Sequence, residues 1–76
     1  MARISKQIKV NKQQKLRLQR IVRSRNEQAA VARRARIILL AAEGNDNRKI
    51  ARMVGMHYNL VASWKKRWEE EGPEGL

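Results

Sequence analysis

Apolar positions along this 76-residue chain recur at helical rather than strand spacing, and the recurrences divide it into four segments. In the first, Leu18, Ile21 and Val22 fall on one side, while Lys12, Lys15, Arg17, Arg20 and Arg23 cover the rest. Asn11 offers an N-cap and Gln14, three residues on, completes a capping-box pair, so a helix is expected from there to about Ser24. A second helix is expected from Glu27 or Gln28 to a stop at Gly44. Val31, Ala35, Ile38 and Ala42 repeat at i, i+4, i+7 and i+11, and Ile37, Leu39, Leu40 and Ala41 widen the stripe until the C-terminal half is almost surrounded. This is predicted to be the most buried helix, with Arg33, Arg34 and Arg36 in its less buried first half.

The stretch NRKIARMVGMHYNLVASWKK, Asn47 to Lys66, reads as a short helix capped by Asn47, a tight turn at Gly55, and a longer helix from after His57 to about Glu71, where Gly72 and Pro73 end it. Ile50, Ala51, Val54, Met56, Val61 and Trp64 stand where two short helices crossing at a steep angle would touch. Leu60, Val61, Trp64 and Trp68 are expected on the inner side of the last helix, with both Trp residues as core packing rather than base-stacking surfaces. No strand or internal repeat is visible. The expected fold is all-α: a small homeodomain-like helix-turn-helix bundle of three core helices plus one N-terminal helix. Residues 1–10 read as a basic arm, into which Ile4, Ile8 and Val10 bring some docking capacity. Residues 11–72 read as the domain, with the helix-turn-helix proper at 47–70, and 73–76 as the start of a linker.

Charge sharpens this outline. Eighteen Lys and Arg against seven Asp and Glu give a net charge of +11 and a pI near 11.4. Residues 1–67 hold all 18 bases against Glu27, Glu43 and Asp46, a net of +15, whereas residues 68–76 carry four Glu and a net of −4. An excess of this size repels itself unless an anionic partner neutralises it, and with a helix-turn-helix pattern the expected partner is double-stranded DNA. There are no cysteines, which excludes disulfides and thiolate metal sites, and the lone His57 with no His/Cys cluster argues against zinc. No metal, cofactor or small-molecule ligand is expected. No apolar run approaches the roughly 20 residues of a membrane span and no signal-peptide core is present, so a cytoplasmic protein is expected.

A major groove about 12 Å wide admits one α-helix, whose outward N-terminal face meets base edges. With Val61, Trp64 and Trp68 inward, Tyr58, Asn59, Ala62 and Ser63 are the candidate base-contacting residues. Asn59 has the donor–acceptor amide that pairs with adenine N6 and N7, Ser63 can bond several edges, and Ala62 allows close approach. His57, Lys65, Lys66, Arg67, Arg48, Lys49 and Arg52 are the candidate phosphate contacts, which add salt-sensitive affinity without sequence information. Arg3 and Lys6, with Lys9, are candidates for a minor-groove arm, although an ordinary disordered tail is the preferred account of them. An RNA-binding reading through Arg17, Arg20, Arg23 and Arg25, or Arg33, Arg34 and Arg36, lacks an aromatic stacking platform. A protein-interaction reading, or a homodimer, would draw on Glu69 to Glu71 against a basic face. No catalytic residues are expected: Asp46 is the single aspartate, and adjacent Glu residues on a helix cannot converge on one metal.

From Arg33 to Leu76 the chain resembles the N-terminal DNA-binding region of bacterial insertion-sequence transposases of the mariner-like superfamily. The resemblance lies in RRARIILLAAEG, in the N-x-x-I-A-x-x-V-G core from Asn47 to Gly55, and in W-x-x-x-W-x-x-x-G-x-x-G-L from Trp64 to Leu76. It implies recognition of a transposon's terminal inverted repeats, in a nucleoid-associated setting, by a domain that precedes a two-metal catalytic domain in transposition. A stand-alone repressor is the alternative. Two positions depart from the family pattern: His57 stands where Ser or Thr is frequent, and Leu60 where Thr is frequent. A His cap is weaker and Leu60 lacks a hydroxyl for phosphate.

Overall fold

The computed structural model describes residues 8–24 and 29–76. The candidate arm residues Arg3 and Lys6, and the expected helix start at Glu27 or Gln28, lie outside the described residues. Four α-helices follow one another, α1 at Lys12–Arg23, α2 at Ala29–Ala42, α3 at Asn47–Val54 and α4 at Tyr58–Glu71, and a 3-10 turn at Gly72–Gly75 closes the chain. No strand occurs among the described residues. The all-α architecture of four helices read from the sequence is the one observed.

α1, α3 and α4 each begin where a side chain can take up free amides. At α1 the capping box is complete: the Gln14 amide donates to Asn11 Oδ1 at 2.8 Å, and the Asn11 amide to Gln14 Oε1 at 3.1 Å. At α3 the cap is Asp46 rather than Asn47; its Oδ1 accepts from the Lys49 amide at 2.8 Å. Asp and Asn are both strong caps, and the structure prefers the carboxylate, which also complements the positive helix end. That frees the Asn47 side chain for another role. At α4 His57 Nδ1 accepts from the Asn59 amide at 3.2 Å, so the helix does start after His57.

The turns are set by glycine. Gly44 (φ 99°) ends the region of α2, and Gly55 (φ 73°, left-handed) closes α3, its amide donating to the Ala51 carbonyl at 2.8 Å. Asn45 Nδ2 donates to the Leu40 carbonyl at 2.9 Å, tying the α2–α3 loop back onto α2.

α2 is the central element. α1 packs along it, and α3 and α4 pack on it and on each other. This arrangement explains why its C-terminal half is apolar nearly all round: Ala35, Ile37, Ile38, Leu40 and Ala41 are all buried. Leu18, Ile37, Ile38, Ile50 and Val61 are completely buried, bringing all four helices into one core. Each such side chain contributes about 1.5–3 kcal/mol relative to exposure. Ile8 is buried as well, so the end of the arm docks. Two apolar expectations fail at the edges. Val22 and Leu60 are 37% and 48% exposed, because each stands one position off its helix's buried stripe.

Residues 73–76 do not leave as a linker. Pro73 lies in the first positions of the 3-10 turn, Leu76 packs half-buried against the core, and Arg34 Nη1 donates to the main-chain oxygen of Leu76 at 3.2 Å.

Candidate nucleic-acid interface

The interface is built on the two faces of α4. Val61, Lys65 and Trp68 point inward, with Trp64 half-buried beside them. On the opposite side Asn59, Ser63, Lys66 and Glu70 recur at i, i+4, i+7 and i+11, all exposed, with Ala62 exposed next to them. Tyr58 is exposed at the helix start, its ring stacked on His57 with centroids 4.7 Å apart. Tyr58, Asn59, Ala62 and Ser63 therefore form one contiguous outward patch around the N-terminal half of the helix. The stacking restricts Tyr58, so its hydroxyl projects from a positioned ring.

The candidate phosphate contacts divide. On α3, Ile50 and Val54 face the core, and Arg48, Lys49 and Arg52 are all exposed. Lys66 is exposed on the outward stripe of α4, and His57 is exposed at its start. Arg67 is half-exposed but engaged: its Nε lies 3.2 Å from Glu71 Oε2, and its guanidinium lies 5.4 Å from the centre of the Trp64 ring.

Lys65 does not belong with them. It is only 8% exposed, and its Nζ donates to Asn47 Oδ1 at 2.8 Å. Its position explains this: four residues after Val61 and three before Trp68, it falls on the inner stripe, where its aliphatic stem packs and its ammonium meets the start of α3. The bond joins the first residue of α3 to the middle of α4 and sets the two helices of the motif against each other.

A second tie was not legible from residue type alone. Arg34 of α2 lies over the Trp64 ring at 4.3 Å from its centre, while donating to Leu76. Trp64 thus has two guanidiniums near its ring, and Arg34 links α2 to α4 and to the residue after the 3-10 turn.

A family model described as the homeodomain-like domain matches residues 28–76. The chain belongs to the homeodomain-like family. The match takes in α2, α3, α4 and the 3-10 turn, and so includes the Arg34–Trp64–Leu76 contact; α1 lies outside it. Neither the curated proteins nor the solved structures contain a match to the chain. A homeodomain-like helix-turn-helix implies DNA binding, and α4 is the second helix of that motif. Among the described residues of this homeodomain-like chain, no helix is long and apolar enough to cross a membrane. Nor, among them, does any group of three His, Cys, Asp or Glu come together to hold a metal.

Proposed function

We propose that this homeodomain-like domain reads double-stranded DNA sequence-specifically through the N-terminal half of α4, and that its targets are the terminal inverted repeats of a transposon. The outward patch of Tyr58, Asn59, Ala62 and Ser63 carries this reading, because it puts small and amide side chains at the place where base edges are met and cations around it. Asn59 is assigned to adenine, with Ser63 and Ala62 setting the neighbouring positions. His57, Lys66, Arg48, Lys49 and Arg52 hold phosphates on either side.

Assignment to a transposase draws on the segments RRARIILLAAEG and W-x-x-x-W-x-x-x-G-x-x-G-L, in which Arg34 of the first contacts both Trp64 and Leu76 of the second. The homeodomain-like family also occurs in transposases. On this reading, cutting and joining of DNA belong to another domain, and these residues supply end recognition alone.

Selection of bound sequences from a random duplex pool, followed by mobility-shift titration at several salt concentrations, tests the proposal. Asn59→Ala is expected to relax one or two base positions. Lys66→Ala should weaken all sequences alike and lower the salt slope by about one. Absence of duplex binding at low salt overturns the DNA reading. Identical behaviour of the two variants overturns the division between reading and gripping residues, and a selected sequence unrelated to any element end overturns the transposon assignment.

A further inference from the structure

We infer that α1 carries a second surface for DNA, one that grips the phosphodiester backbone of the duplex flanking the base pairs met by α4. The inference rests on the DNA-binding reading above and adds to it a helix that lies outside the matched family region.

α1 contains five cations and no acid. Lys12, Arg20 and Arg23 recur at i, i+8 and i+11 on the side turned away from the buried Leu18, and all three are exposed. Lys15, also exposed, stands at the border of the stripe. None of these four has an ion pair or side-chain hydrogen bond among the described residues. Arg17 is left out of the surface because it faces Glu74 at 3.8 Å.

The cations are fixed rather than carried on a tail. The capping box sets the start of α1, Leu18 is completely buried, and Ile21 and Ile8 pack into the same core, so the helix is docked along α2. From Lys12 to Arg23 the helix rises about 16 Å, close to the axial length of five base pairs. A duplex carries one negative charge per about 1.7 Å of its axis, so a row of that length can reach about two or three phosphates. Leu16, 54% exposed, is the single apolar side chain in the stripe, too little to bind a partner by apolar burial. The surface is therefore electrostatic in character, and a polyanion of regular spacing suits it.

The test is a fluorescence-anisotropy titration of the full chain with two duplexes, one trimmed to the base pairs selected above and one with flanks on both sides, each over a range of salt. The Lys12→Gln/Arg20→Gln/Arg23→Gln variant keeps good helix formers at each position. On the flanked duplex its plot of log affinity against log salt should be shallower than the wild type's by about two to three, with base preference unchanged. On the trimmed duplex the two proteins should behave alike. Lys12→Glu is a second, fold-safe variant, since a carboxylate in the first turn favours the helix, and it should lower the slope on the flanked duplex by at least about one. Leu16→Gln should leave the slope unchanged.

If the wild type binds both duplexes and the triple variant keeps its slope on the flanked one, this inference is wrong while the α4 reading stands. A loss equal on both duplexes also overturns it, because the contact would then lie within the α4 site. So does a Leu16→Gln variant as impaired as the triple one, which would mark a protein-docking surface. Failure of the wild type to bind either duplex refutes the DNA reading itself.

Discussion

The Arg34 contact yields the sharpest stability prediction. Arg34→Met keeps an unbranched stem against Trp64 but removes the guanidinium, which lies 4.3 Å from the ring centre and donates to Leu76 at 3.2 Å. For a half-buried site the cation–π contact contributes about 1 kcal/mol, and the hydrogen bond a net of about 1 kcal/mol. Together these give about 2 kcal/mol, which in a domain of this size lowers Tm by roughly 8–16 °C. Circular dichroism melts of Arg34→Met measure the shift. In a Trp64→Leu background the same substitution removes only the hydrogen bond, so its increment should halve. Hydrogen exchange supplies an independent view: protection of the Leu76 amide, which donates to the Pro73 carbonyl at 3.3 Å, should fall in Arg34→Met. The reasoning fails if Arg34→Met shifts Tm by less than about 2 °C, or if its increment is the same with and without Trp64.

Two further predictions concern the motif itself. Lys65→Met should leave stability within about 1 kcal/mol of wild type, since the lost bond to Asn47 is offset by relief of a buried ammonium, and should leave the salt slope of DNA binding unchanged; a slope reduced by about one would return Lys65 to the phosphate contacts. Gly55→Ala should cost about 1–2 kcal/mol in urea titrations, all of it from the backbone, because φ is 73° and a Cβ there would meet nothing within 4 Å; a neutral result would mean the turn re-forms without the left-handed residue.

The turns and the core could be read from the chain because each had a local cause. Asn11 and Gln14 cap reciprocally, Gly44 and Gly55 take up positive φ, and the stripe through Ala35 and Ile38 is buried as its spacing requires. Where reading failed, charge or adjacency hid the answer. Lys65 has the right period for the inner stripe, but its ammonium suggested the surface. Asp46 and Asn47 are adjacent residues of equal capping rank, and only the fold chooses between them. The return of residues 73–76 depends on Arg34, more than 40 positions earlier, a contact that local pattern does not encode. The outward patch was legible because it is the complement of a well-marked buried face; which bases it meets depends on the partner.

The two faces of α4 share almost no duties. Val61, Trp64, Lys65 and Trp68 carry the packing, and the side chains of Asn59, Ala62, Ser63 and Lys66 make none of the fold's ties. Exchanges at such exposed positions usually stay within about 0.5 kcal/mol. The scaffold can therefore drift to new targets without a penalty in folding, and a library randomised at these four positions could be screened for altered preference with most members still native. Retargeting is uncoupled from robustness in this helix by the simple fact that one side of it is spoken for.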